Sequence, residues 1–212
     1  WDQSPAHRVP GSPTMPSSHT SSGFSGPVLS LIAFAIALNV TMGQVVTALK
    51  IPLYLDMVGT ILCAALAGFR PAAVAAVSGN VIAATLGSPA MLFFAPVGII
   101  VAGISATAFR LRAFSSPVTA SMAGLLQGAI AATVSAPISA YVFGGVTVAG
   151  TDLIVALYRG SGFGLLQSTW LQGLTTDVPD KIISYVLVAG LLQDLPERVV
   201  RRFRPHHRPK IP

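Results

Sequence analysis

The sequence predicts an all-α integral membrane protein: a bundle of six transmembrane helices, with both termini cytoplasmic and a long outer loop between the fifth and sixth helices. Three observations predict it. Of 212 residues, 52% are hydrophobic and only 9% charged, against about 25% charged in soluble domains. So little charge cannot cover a water-facing surface, and the mean hydropathy is +0.70. The apolar residues also fall into runs of helix length, about 20 being needed to cross about 30 Å of hydrocarbon. Finally, the basic residues favour one set of turns over the other.

In chain order, residues 1–26 ("WDQSPAHRVPGSPTMPSSHTSSGFSG") are rich in Ser, Pro, Gly and His and are expected to be a disordered extension. They lack the basic start and apolar run of a signal peptide. The membrane domain covers 27–195. Its first span is 27–49 and its second 53–69, which Arg70-Pro71 breaks from the third, 72–87. The fourth span is 92–111, the fifth 117–143 and the sixth 177–195. The second and third are near the lower length limit for a crossing. Residues 196–212 form a basic tail, read as a cytoplasmic anchor on anionic lipid rather than a nucleic-acid site.

With the N-terminus inside, the cytoplasmic turns and tail hold Arg70, Arg110, Arg112, Arg198, Arg201, Arg202, Arg204, Arg208 and Lys210. The outer loops hold Lys50, Arg159 and Lys181, so nine basic residues face three. Residues 148–173 are the ambiguous segment. A seventh span there would bury Arg159 at a cost of about 2.5–3.5 kcal/mol and would put the basic tail outside. Two short amphipathic helices joined at Gly160-Ser161-Gly162 are expected instead, with Thr151 or Asp152 capping the first and Trp170 at the membrane interface. The segment is long enough to act as a lid.

Small residues recur every three or four positions in the fifth span (Ser121, Gly124, Gly128, Ala131, Ser135, Ser139) and in the fourth (Gly98, Ala102, Ala106). Both stripes read as close helix packing. Cys63, the only cysteine, reads as a packing residue and excludes an internal disulfide.

The intramembrane polar residues gather toward the outer side: Asn39, Thr41 and Gln44 on the first span, Asp56 at the start of the second, Asn80 on the third, Tyr141 on the fifth, and Asp177, Asp180 and Lys181 on the sixth. Only Gln127 lies toward the inner half. Such groups are costly in lipid unless they face partners or water, so their clustering suggests an aqueous cavity open to the exterior. Each also has a structural reading. Asp56 caps the second helix, Asp177 and Lys181 form an i,i+4 pair, or Asn39 and Asn80 bond between helices.

Other chemistries find no support. The four histidines, His7, His19, His206 and His207, all lie in the tails, which excludes a Ser-His dyad or HExxH site in the membrane. There is no GxxxxGK[ST] loop, and "GSGFG" (160–164) reads as a hinge. No convincing inverted repeat appears. The chain is therefore not expected to be an enzyme or to carry a cofactor or metal, and any ATP would be hydrolysed by another subunit.

"IPLYLDMVGTILCAALAGFRPAAVAAVSGN" (51–80), "YVFGGVTVAGTDLIVALYRGSG" (141–162) and "LTTDVPDKIISYVLVAGLL" (174–192) carry a family pattern. Over residues 27–200 the chain resembles the substrate-binding (S) components of energy-coupling factor (ECF) vitamin transporters. The resemblance implies a six-helix fold that holds a vitamin or related micronutrient near the outer face under loops, and delivers it through a transmembrane coupling subunit and two ATPases. It implies that Asp56, Asn80 and Lys181 line or brace the cavity and that residues 145–174 cover it. Ala33 and Ala37 match the AxxxA pattern by which such components dock on the coupling subunit. The candidate substrate-binding set is Asn39, Gln44, Tyr54, Asp56, Asn80, Tyr141, Trp170, Asp180 and Lys181, and the expected location is a bacterial cell membrane, multi-pass. The alternatives are a membrane sensory domain of a signalling protein, or a structural membrane protein that binds no ligand.

Overall fold

The computed structural model describes residues 23–147 and 151–203, apart from the side chains of residues 197 and 201. The extension as far as residue 22, residues 148–150 of the outer loop and the tail from residue 204 lie outside the described residues. All regular elements within them are helical: α1 (Gly26–Ala48), α2 (Val58–Ala67), α3 (Phe69–Thr85), α4 (Ala95–Arg110), α5 (Pro117–Pro137), α6 (Asp152–Gly160), α7 (Leu165–Asp194) and α8 (Glu197–Phe203), with short 3-10 or π turns at 89–94, 113–115 and 138–142. Among the described residues, three helical stretches are long and apolar enough to cross a membrane: Gly26–Ala48, Pro89–Arg110 and Pro117–Val142. Their outward faces are apolar, as in α5, where Val118, Met122, Leu125 and Leu126 are all exposed.

The second expected span is altered most. Its helix begins only at Val58, and residues 51–57 form an irregular segment. The ten residues of α2 rise about 15 Å, half of a hydrocarbon core. Nine of the ten are buried, with α1, α3, α4 and α7 around them, so α2 is the centre of the bundle rather than a lipid-facing span. The break after it lies at Gly68, not at Arg70-Pro71. Gly68 adopts φ +88, a conformation that a side chain disfavours, and Pro71 sits in the first turn of α3, where its missing N–H costs nothing.

The sixth expected span is also longer. A single helix, α7, runs from Leu165 to Asp194 with Pro179 inside it, so the second amphipathic helix of the outer loop is the first third of α7. Only α6 remains separate. Thr151 precedes it without a side-chain capping bond. The Asp152 carboxylate instead accepts from the Thr147 amide and hydroxyl, both at 3.0 Å. At the other terminus, the first part of the expected tail is α8, whose Val200 and Phe203 pack on the core.

The most extensive helix contact joins α5 to α7, and the small-residue stripe explains it. A Cβ on Gly124 would lie 2.7 Å from the Lys181 carbonyl oxygen, and one on Gly128 would lie 2.6 Å from Val178 Cα. Hydrogen alone fits at both positions, so the two backbones meet directly. Farther along, the stripe also borders empty space, at Ala131 and Ser135 of α5 and at Ser139 in the π turn that follows.

Candidate functional site

The empty space is a two-lobed cavity. It forms where the C-terminal ends of α1, α3 and α5 meet the N-terminal end of α4, the 51–57 segment and the middle of α7. The Arg70, Arg110 and Arg112 turns lie at the opposite ends of these helices. The first lobe lies between α4, α5 and α7, and the second between α1 and α3. Each holds about 660–680 Å³ of unfilled space, open mouths included. Tyr54, Asp56, Asn80, Met91 and Thr147 border both lobes.

The 51–57 segment places the central residues. Leu55 adopts φ +49, unusual for a branched side chain, and its amide donates to Asp180 Oδ1 at 2.6 Å. The Tyr54 amide donates to the same oxygen at 3.0 Å. The other oxygen of Asp180 accepts from Lys181 Nζ. Asp180 is 0% exposed and stands behind the cavity wall as a clamp, whereas Lys181 lines the first lobe. The bent segment leaves the Tyr54 hydroxyl free to bond Thr151 Oγ1 at 3.2 Å and Gln172 Nε2 at 3.1 Å. These bonds tie α6 and α7 to the site.

Asn39 also differs from the simple reading. Its Oδ1 accepts from the Gly59 and Thr60 amides at 2.8 and 3.2 Å, and its Nδ2 donates to Thr60 Oγ1 at 2.8 Å. It caps the start of α2 from a neighbouring helix, a task the sequence suggested for Asp56. Asp56 instead lies two residues before the helix and faces both lobes. Gln44 is exposed at the rim of the second lobe. Asn80 is 4% exposed and borders both lobes, and its Nδ2 has no hydrogen-bond partner.

Besides Asp180, two candidates do not reach the cavity. Tyr141 is 74% exposed, because the π turn at Ile138–Val142 swings it outward. Trp170 is half-exposed and donates to Thr133 Oγ1 at 3.2 Å across the outside of the α5–α7 contact. The structure adds Met57, Phe94, Ser135, Ser139, Gln172 and Asp177 to the lining. Asp177 is 7% exposed, with Ser135 Oγ 3.5 Å from its Oδ2.

One helical turn inward, a polar knot closes the floor. Ser105 Oγ contacts Gln127 Oε1 and the Tyr185 hydroxyl, each at 3.1 Å, and the Tyr185 hydroxyl donates to Gln127 Oε1 at 2.5 Å. Each member lies four residues from a lining residue (Val101, Ala131 and Lys181), so the knot pins α4, α5 and α7 together directly beneath the cavity.

Comparison of the chain with protein-family models, with curated proteins and with solved structures finds no match. The functional reading therefore rests on the site itself. It offers carboxylates, one paired ammonium, amides and hydroxyls in an otherwise apolar bundle. Such a set is chemically suited to hydrogen-bond and ion-pair contacts with a small polar solute.

Proposed function

We propose that this protein is the membrane-embedded substrate-capture subunit of an ECF-type ATP-driven importer. It binds a vitamin or related micronutrient at the outer face of a bacterial membrane and delivers it through a coupling subunit and two ATPases. The observation that carries this reading is the cavity. It lies at one end of an apolar bundle, it collects the buried polar side chains of that end, and the arginine-bearing turns lie at the other. Six crossings with the arginine end cytoplasmic turn that mouth outward. The α6 segment, joined to the site through Thr151 and Tyr54, is then the outer cover. Hydrolysis of ATP belongs to the partner subunits, and this chain contributes binding and docking.

The direct test is mass spectrometry of small molecules extracted from the purified protein, with thermal unfolding measured after the extracted compound is added back. A vitamin-like molecule that raises the melting temperature is expected. Protein that yields no such molecule, and that no vitamin stabilises, would refute the capture role. Sidedness has its own check. In a Cys63→Ala background, a cysteine at Gly160 should react with an impermeant thiol reagent on intact cells, and one at the exposed Leu111 only after permeabilisation.

A further inference from the structure

We propose that the cavity takes a small organic cation on an apolar ring (a protonated amine, an amidinium or a heteroaromatic cation), with Asp56 and Asp177 as its counter-charges and Asn80 Nδ2 donating to an acceptor on the same molecule. This rests on the capture reading above and narrows it to a charge class.

The charge balance carries the inference. Three carboxylates, Asp56, Asp177 and Asp180, surround one ammonium, Lys181. Asp56, Asp177 and Lys181 are the charged residues that line the lobes among the described residues, with Asp180 directly behind them. Lys181 is spent on Asp180. An anionic solute would meet an ammonium already neutralised and two carboxylates that repel it. Asp56 and Asp177 each lie outside ion-pair distance of Lys181. Asp177 is buried and Asp56 half-buried, and carboxylates left this way are costly in a membrane interior. A bound cation offsets that cost, so it interacts far more favourably here than a neutral or anionic molecule of the same shape.

Asn80 is an independent observation. Its amide nitrogen is a buried donor with no protein partner, and the side chain borders both lobes. Such a donor is expensive to leave unmade, and a solute acceptor satisfies it. Beside these polar groups the first lobe has an apolar wall of Met57, Phe94, Val97 and Val101. It suits the body of a ring, and an aromatic face there adds a cation–π contribution. Among the described residues no three of His, Cys, Asp and Glu are grouped to hold a metal ion, so the donor set favours an organic cation.

The test is a matched panel on the full-length chain in nanodiscs: thiamine and pyridoxamine as cations, riboflavin as a neutral ring, biotin and pantothenate as anions, each added at equal concentration before thermal unfolding. A cation is expected to give the largest rise in melting temperature. Asp56→Asn and Asp177→Asn should each weaken its binding by about tenfold or more, the scale of a charged hydrogen bond, and Asn80→Ala by several-fold. A larger rise with riboflavin, biotin or pantothenate overturns the cation assignment and leaves the capture reading standing. Cation binding that survives both carboxylate substitutions unchanged also overturns it. If no member of the panel shifts the protein and no small molecule can be extracted from it, both readings fall. Should a substitution unfold the bundle, the panel on the native chain still decides.

Discussion

The backbone amide of Tyr54 donates to the Asp180 carboxylate at 3.0 Å, and this bond joins two walls of the cavity. One wall is the irregular segment that carries Tyr54 and Asp56. The other is α7, which carries Asp177 and Lys181. Asp180 also accepts from Leu55, whose left-handed backbone costs about 1–2 kcal/mol, and it neutralises Lys181. Asp180→Ala therefore releases the segment and strands a buried ammonium. A loss of roughly 3–5 kcal/mol is expected, measured by thermal unfolding in nanodiscs. The double variant Asp180→Ala/Lys181→Met should be more stable than Asp180→Ala alone, since no unpaired charge remains. An Asp180→Ala protein as stable as the native chain would show that the clamp is not needed.

Asn39 performs the same kind of work at the start of α2. Its oxygen takes two amides of the first turn, and its nitrogen bonds the Thr60 hydroxyl. Asn39→Ala leaves those buried donors without an acceptor, at about 1–3 kcal/mol for each unsatisfied group. Asn39→Asp keeps the accepting oxygen and should recover part of the loss. Equal melting temperatures for the alanine and aspartate variants would contradict this account.

The contact of α5 with α7 predicts a sharp positional contrast among glycines. At Gly128 any Cβ meets the α7 backbone, and Gly128→Leu must separate the two helices that carry Ser135, Asp177 and Lys181. Little folded protein is expected from it, or a loss beyond the roughly 1–3 kcal/mol usual for overpacking. At Gly160 a Cβ meets nothing within 4 Å, so Gly160→Ala should be neutral or slightly stabilising. Size-exclusion profiles and melting curves of the pair provide the comparison.

How much of this was legible in the sequence depends on the range of the interaction concerned. The helical class followed from composition, and the α5 stripe from the spacing of Gly124 and Gly128, because both are local. The placing of Asp56 and Asn80 at one end followed from their positions along alternating helices. The role of Asp180 did not. It depends on a left-handed Leu55 more than a hundred residues away, which no periodicity records. Asp177 is visible as a polar residue of the sixth span, but Gln172 falls in the second amphipathic helix expected in the outer loop, which the sequence reading separates from the span at 177–195. Read from Leu165, the buried series Ser168, Gln172, Thr176, Asp180 and Ser184, with Asp177 and Lys181 beside it, is a polar stripe at helical spacing, and it would have pointed to this face. Tyr141 and Trp170 misled for the opposite reason. An amphipathic ring suits a cavity and a membrane interface equally, and sequence alone does not choose between them.

The proposed delivery step makes a last prediction, on the far side of α1 from α2. Ser30, Ala33, Ala37 and Thr41 are all exposed, and at helical spacing they form a shallow groove beside the exposed Phe34. Small residues on an uncovered face permit another helix to approach closely, as Gly124 and Gly128 permit α7. The cavity lies across α1 on its buried side, at Asn39, so the proposed docking and solute-binding surfaces occupy different faces of one helix. Ala33→Leu/Ala37→Leu should therefore abolish uptake into cells while leaving the melting temperature and the solute-induced stabilisation of the purified protein unchanged. Uptake that persists in this variant would place the docking surface elsewhere. Loss of solute binding together with uptake would mean that the face supports the fold of the site instead of meeting a partner.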